Sequence, residues 1–414
     1  MSEVGYLELL RTNVHFRRLW MGDIASLLGD WFNTIALYTL ATELTGSPFA
    51  LGLVFITKML PFALASPVAG WIADRFDRRR LMIGSDLLRA LVVLGFLLVD
   101  DPSEVGLLYL LAGLQVVIGS VFVPARSASI PNITSDRELL TANALSAATW
   151  SSLLAIGAAL GGFAAELIGT TGVFLFDSGT YLFSAWCIYR TKIPQAAADG
   201  ARRRLGEVWE EILDGWRMMR RKPEIGRIAL TKSTWSLAGG GLVFLLTLLG
   251  EAWMPAAPSI GIGLLFAARG LGTGVGPVVA RALLPREAKW PLAMGCGIVA
   301  SGLCYYTVGS LGWTVALIAL ILLAHSFSGA NWVLSTVLLQ RRTKDAFRGR
   351  VFSTEWLLVT LADTVAILAA SLLLERGVLD LGGTIRIFAL LQVAAGVAYL
   401  LLVVPREARG APGI

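Results

Sequence analysis

Long apolar runs separated by short charged breaks dominate the chain. Runs near 19–41, 48–70, 81–99, 105–125, 141–165, 170–189, 228–250, 258–283, 290–309, 313–338, 351–374 and 383–404 can each span a bilayer as a helix. Gly, Ser or a single charge interrupts several of them, as happens where a helix faces a protein interior rather than lipid. The pattern predicts an all-α membrane protein with twelve transmembrane helices. Between the sixth and seventh runs, residues 190–227 are rich in charge. There Val208, Trp209, Ile212, Trp216 and Met219 recur at helical spacing, which predicts an amphipathic surface helix over 205–219.

The distribution of charge orients these spans. Of the 35 Lys and Arg residues, 29 fall in the N-terminus, alternate connections and C-terminal tail, and one, Arg376, falls in the opposite set. Positive charge gathers on the cytoplasmic side, so both termini are expected there. Composition agrees: 56% of residues are hydrophobic and 15% charged, with a mean hydropathy of +0.69. A water-soluble domain carries about 25% charge. The pI near 9.4 therefore reflects membrane orientation and not a nucleic-acid partner. Cys187, Cys296 and Cys304 lie in apolar runs and are expected to be reduced thiols. No cleavable signal peptide is expected, because the first apolar run is too long for one. Two histidines and three cysteines leave no evident metal site.

The chain also echoes itself. Leu51–Lys58 reads LGLVFITK and Ile262–Arg269 reads IGLLFAAR, an offset of 211 residues. A second echo joins 131–142 to 340–350. These imply two six-helix halves in parallel repeat. The expected organisation is an N-terminal bundle over 1–189, a cytoplasmic linker over 190–227 and a C-terminal bundle over 228–414.

Between the second and third runs stands Gly70-Trp71-Ile72-Ala73-Asp74-Arg75-Phe76-Asp77-Arg78-Arg79-Arg80. With the twelve spans and the repeat, this turn resembles the loop between helices two and three of the major facilitator superfamily. Leu28-Gly29-Asp30-Trp31, Leu44-Thr45-Gly46-Ser47-Pro48, Ser85-Asp86-Leu87-Leu88-Arg89, Phe122-Val123-Pro124-Ala125-Arg126 and Gly349-Arg350-Val351 are similar to one bacterial drug:proton antiporter branch. That branch includes macrolide efflux pumps, the enterobactin exporter and lysophospholipid transporters. The resemblance implies alternating access around a central cavity. It also implies a conformational latch involving Gly70, Asp74, Arg75, Arg78, Arg79, Gly349 and Arg350. Two departures stand out: Asp77 replaces the family's second glycine, and the counterpart turn at Arg281–Lys289 has lost the motif.

Charged groups inside the spans are the candidate chemistry, because each is costly in a bilayer. Asp30 lies about 18 Å from the start of its helix at 1.5 Å per residue. Asp23 shares its face, and Asn33 lies one turn further out. Lys58 has the same depth on the next helix, so an Asp30–Lys58 pair is expected. A carboxyl group withdrawn from water is suited to proton exchange. Arg269 is the repeat counterpart of Lys58, with Asp363 a possible balance for it, while Gly241 stands where the repeat would place Asp30. His325 either contacts a proton or substrate or forms a neutral hydrogen bond between helices. Asp86 and Arg89, at i and i+3, form an expected structural pair that Arg126 joins. Trp31, Phe32 and Phe122 supply either ligand contact or packing. Lys232 and Glu355 near helix ends are explained by snorkelling, and Asp177 has no evident role.

The expected function is a secondary active transporter. The first reading is proton-coupled export of an amphipathic or hydrophobic small molecule. The alternative is an importer, facilitator or lysolipid flippase without proton coupling, or a membrane sensor or scaffold. No enzyme is expected, since nucleotide motif and nucleophile–base arrangement are lacking. The expected partners are a small amphipathic substrate, protons and membrane lipids, with a proton gradient in place of a cofactor. The expected setting is a monomer in the bacterial cytoplasmic (inner) membrane.

Overall fold

The computed structural model describes residues 4–195, 205–312 and 314–410, and among them there is helix but no strand. The helices in chain order are α1 (Tyr6–Thr12), α2 (Val14–Thr45), α3 (Pro48–Arg75), α4 (Arg78–Gly95), α5 (Val105–Ile133), α6 (Asp136–Tyr189), α7 (Leu205–Arg221), α8 (Pro223–Trp253), α9 (Pro258–Leu283), α10 (Trp290–Ser310), α11 (Ala316–Arg342), α12 (Asp345–Glu375), α13 (Leu381–Leu402) and α14 (Val404–Gly410). Ten described helices are long and apolar enough to cross a membrane. One of these ten is α6, whose 54 residues change direction at Gly169, the position with φ 69° and ψ 170° that departs from helical geometry. Only glycine adopts that φ without steric cost. The 32-residue α2 falls outside the ten, because Asp23, Asp30, Asn33 and its basic start dilute its apolar character.

The chain divides into two compact units. One holds residues 1–46 and 57–208; the other holds 47–56 and 209–414. In the first, α2 runs along α6, and α4 packs against both α5 and α6. Small residues allow the close approach of α2 and α6. Gly161 meets the backbone of Phe32, and Gly157 meets the Trp31 side chain. One end of this unit is sealed by Leu9, Phe16, Leu19, Met82, Phe122 and Ile188.

In the second unit α8 is the most enclosed span, with 72% of its apolar window buried. It packs against α9, α12 and α13. Its contact with α12 depends on Gly240, where a Cβ would lie 2.7 Å from the Asp363 Cα. The amphipathic helix foreseen over 205–219 is α7. It docks on the start of α12: Thr354 Oγ1 donates to the Ile212 carbonyl at 2.9 Å, and Gly215 sits against the Arg350 backbone so closely that a Cβ there would collide. Met219 enters the core beside Ile225, Ile228, Leu338 and Val351, whereas Trp216 stays exposed. The side chains of Val208 and Trp209 lie outside the described set.

Candidate functional site: a charged cavity in the first unit

Five helices bring polar groups together around a cavity of about 290 Å³. Its wall includes Asp30 and Thr34 from α2, Lys58 from α3, Arg89 from α4, Gln115 from α5 and Tyr181 from α6. Trp31, Phe62, Val123 and Trp150 supply an apolar and aromatic remainder. This combination of apolar wall and a few convergent polar groups characterises small-molecule sites.

Asp30 is more accessible than Arg89, with side chains 37% and 8% exposed. Tyr181 donates its hydroxyl hydrogen bond to Asp30 Oδ1, and Arg89 Nη1 lies 3.9 Å from Oδ2. The same guanidinium binds Asp86 Oδ1 at 2.5 Å. It also stacks 4.2 Å from the Tyr181 ring centroid and 5.0 Å from that of Phe122. A planar, permanently charged guanidinium suits this position between two carboxylates and two rings; an ammonium would not stack in this way. Gln115 Nε2 donates to the Tyr181 hydroxyl at 3.0 Å, completing a chain from α5 through α6 to α2.

Lys58 does not pair with Asp30. Its Nζ donates to Thr34 Oγ1 at 2.8 Å, one turn beyond Asp30. The rotation of α2 instead turns the Asp30 oxygens toward Tyr181 and Arg89, which depth along the helix does not fix. Arg126 likewise leaves the expected Asp86–Arg89 pair and binds Asp23 Oδ2 at 2.6 Å. Asn33 is fully buried, with neither side-chain polar atom hydrogen-bonded among the described residues, and it is not part of the cavity wall.

The candidates in the second unit form other groups. His325 is buried and its Nε2 is 2.8 Å from the Tyr305 hydroxyl. Trp235 and Tyr305 meet its ring edge-on. Arg269 lies over the Phe266 ring at 5.8 Å. Asp363 is buried, and its Oδ1 has no hydrogen-bond partner among the described residues. Lys232 and Glu355 do not snorkel. They form a 3.0 Å ion pair with side chains 5% and 4% exposed, and Trp332 lies 4.7 Å from the ammonium. Their helices α8 and α12 pack along each other, which turns both groups inward.

At the charged turn, Gly70 lies in the last turns of α3 with nothing within 4 Å of where a Cβ would stand. Arg78 Nη1 binds the Ala128 carbonyl at 2.9 Å, and Arg79 reaches the carbonyls of Ile188 and Tyr189. Arg75 lies over the Trp71 ring at 5.2 Å. Asp77, the departure from the family glycine, caps α4 by accepting from the Arg80 amide at 2.7 Å. Asp74 is exposed, and its side chain has no hydrogen bond or ion pair among the described residues. In the second unit Gly349 borders an open cleft of about 570 Å³ with Arg341 and Arg348, while Arg350 Nη1 reaches Asp214 Oδ2 of α7 at 3.4 Å.

Tyr181, Gln115 and Thr34 were not evident from the sequence as site residues. They are uncharged and ordinary in a span, and only the folded arrangement turns them to Asp30, Arg89 and Lys58. Tyr181 did carry one signal, since it follows Asp177 and Thr180 within a turn of an otherwise apolar helix.

Comparison with known proteins agrees with the fold. Residues 19–366 match the model of the Major Facilitator Superfamily, and the chain belongs to that family of membrane transporters. The uncharacterized MFS-type transporter YfiS of Bacillus subtilis is 31% identical over 182 residues, covering 44% of this chain and 43% of that protein. Macrolide efflux protein A of Streptococcus pyogenes is 23% identical over 371 residues, 87% of this chain and 89% of that protein. The putative bacilysin exporter BacE of Bacillus amyloliquefaciens is 26% identical, covering 87% of this chain and 91% of that protein. Among solved structures, the nucleoside transporter NupG superposes with a TM-score of 0.74 at 14% identity, over 93% of this chain and all of that one. Likenesses at that identity carry the fold alone.

Proposed function

We propose that the protein is a proton-coupled exporter of an amphipathic or hydrophobic small molecule, with Asp30 as the carboxylate at which proton and substrate compete. The observation that carries this reading is the placement of Asp30. It is a solvent-reachable carboxylate on the wall of a cavity that mixes apolar and aromatic side chains with Lys58, Arg89 and Gln115, and it is tethered by Tyr181 and Arg89. Neutralising it by a proton releases Arg89 to Asp86, and a cationic or polar group of the substrate can compete for the same oxygens. The likeness to a macrolide efflux protein and a putative bacilysin exporter supports the outward direction.

Counting α2 as a span and α6 as two crossings gives the twelve spans of this reading. It places both termini in the cytoplasm and a monomer in the bacterial inner membrane. The Gly70–Arg80 turn would act as the conformational element, with Asp74 its unengaged carboxylate. The test is flux of a macrolide from proteoliposomes under an imposed pH gradient. Gradient-driven flux supports the reading. Equal flux with and without the gradient favours a facilitator, and no flux of a macrolide, lysophospholipid or peptide antibiotic favours a sensor or scaffold.

A further inference from the structure

Asp177 is the acidic group that the cavity chemistry leaves unused. It lies in α6, has no exposed surface, and its Oδ2 has no hydrogen-bond partner among the described residues. Its Oδ1 has one neutral partner, the Thr180 hydroxyl at 3.3 Å. No ion pair involves it among the described residues. The carboxyl group presses against α2 at Gly29, where a Cβ would collide with Asp177 Oδ1 and Thr180 Oγ1. The next residue along α2 is Asp30, which opens onto the cavity.

A carboxylate in this setting would be a buried charge with one lone-pair face unsatisfied, which is costly in a protein interior and more so in a span. The neutral acid relieves that cost. The charged and titratable groups that face Asp177 are Asp30 on α2, Lys58 on α3, Arg89 on α4 and Tyr181 on its own helix. Two cations and a second carboxylate thus act on it electrostatically, and none of them forms a hydrogen bond or ion pair with it among the described residues. Such a group can change its charge as its neighbours do.

We infer that Asp177 is the internal proton site of this transporter, exchanging its proton with the cavity through Asp30. In the transfer the Asp177 carboxyl loses a proton and becomes a carboxylate balanced by Lys58. The Asp30 carboxylate takes the proton up and yields it to cavity water. Reprotonation reverses both changes. The coupling role rests on the exporter reading above, but the protonated state of Asp177 does not.

The experiment therefore begins without a ligand. Infrared difference spectra of the reconstituted full chain are recorded as pH is stepped from mildly acidic to mildly alkaline. One component of the carboxylic C=O stretch is expected to titrate in the parent, to titrate more slowly in Asp30→Asn, where its route to the cavity is cut, and to vanish in Asp177→Asn. Lys58→Gln gives an independent arm, since without that ammonium Asp177 stays protonated and its band drops out of the difference spectrum. A parent with no titrating carboxylic band, or a band unchanged in Asp177→Asn, overturns the inference. Macrolide flux under a pH gradient then separates the two claims. Loss of gradient-driven flux in Asp177→Asn with retained macrolide counterflow supports the coupling role. Undiminished gradient-driven flux in that variant overturns it while leaving the exporter reading intact. A parent with the Asp177 band but no gradient response overturns the exporter reading and leaves the proton site standing.

Discussion

Arg89 holds the first unit together electrically, and its removal has separable consequences for stability and transport. Its guanidinium binds Asp86 at 2.5 Å, and Asp86 is completely buried with its Oδ2 unpartnered among the described residues. In Arg89→Met that carboxylate loses its counter-charge in a low-dielectric interior. Breaking a buried pair from one side costs about 3–5 kcal/mol. For a unit of this size that corresponds to a fall in unfolding temperature of roughly 6–20 °C. The contact to Asp30 contributes less. At an effective dielectric of 20, charges about 4 Å apart attract by about 4 kcal/mol. Water at the 37%-exposed Asp30 side chain reduces this to about 1 kcal/mol. Asp86→Leu/Arg89→Met removes both buried charges and is expected to recover most of the lost stability, because paired charges replaced by apolar groups are often near neutral. It should not recover transport, since Asp30 remains without its guanidinium. Thermal unfolding of the detergent-purified protein and macrolide flux in proteoliposomes measure the two effects. A single variant as stable as the parent, or a double variant as unstable as the single one, would refute the assignment of Arg89 as the buried counter-ion of Asp86.

Gly29→Ala puts a methyl group into Asp177 and Thr180, and overpacking of this kind costs about 1–3 kcal/mol; thermal unfolding should show it, and Gly5→Ala, with nothing near its Cβ, should not. Glu355→Gln strands the buried Lys232 ammonium in the second unit and should destabilise by about 3–5 kcal/mol, whereas Lys232→Met/Glu355→Leu should restore much of that. A double-mutant cycle showing additive losses would contradict their coupling. Gly215→Val forces α7 off the Arg350 and Thr354 backbone and side chain, and limited proteolysis within 205–221 should accelerate; unchanged cleavage would mean that α7 docks by other contacts.

Depth along a helix was legible in the sequence, and rotation about it was not. Asp30 and Lys58 could be assigned to one depth by counting residues along apolar runs, and both line one cavity, where Arg89, read from the sequence only as the partner of Asp86, joins them. Which oxygen meets which nitrogen depends on helix rotation and spacing, so the expected Asp30–Lys58 pair gave way to Lys58–Thr34 and Arg89–Asp30. Arg126 found Asp23 for the same reason. Lys232 and Glu355 misled because distance from the helix end predicts snorkelling only where the face is free; the packing of α8 on α12 covers it. The i, i+3 pair Asp86–Arg89 was legible because one helix carries both partners. Gly29 was visible as a family-like residue, but its physical reason, the carboxyl of Asp177 from 148 positions away, emerged only in the fold.

The central claim is that Asp30 couples substrate movement to protons at the cavity wall. Its most direct test is macrolide flux in matched proteoliposomes of the parent and Asp30→Asn, with and without an imposed pH gradient. The expected result is acceleration by the gradient in the parent and its loss in Asp30→Asn, with macrolide binding still detectable in the variant. Gradient-driven flux in Asp30→Asn equal to that of the parent would contradict the account.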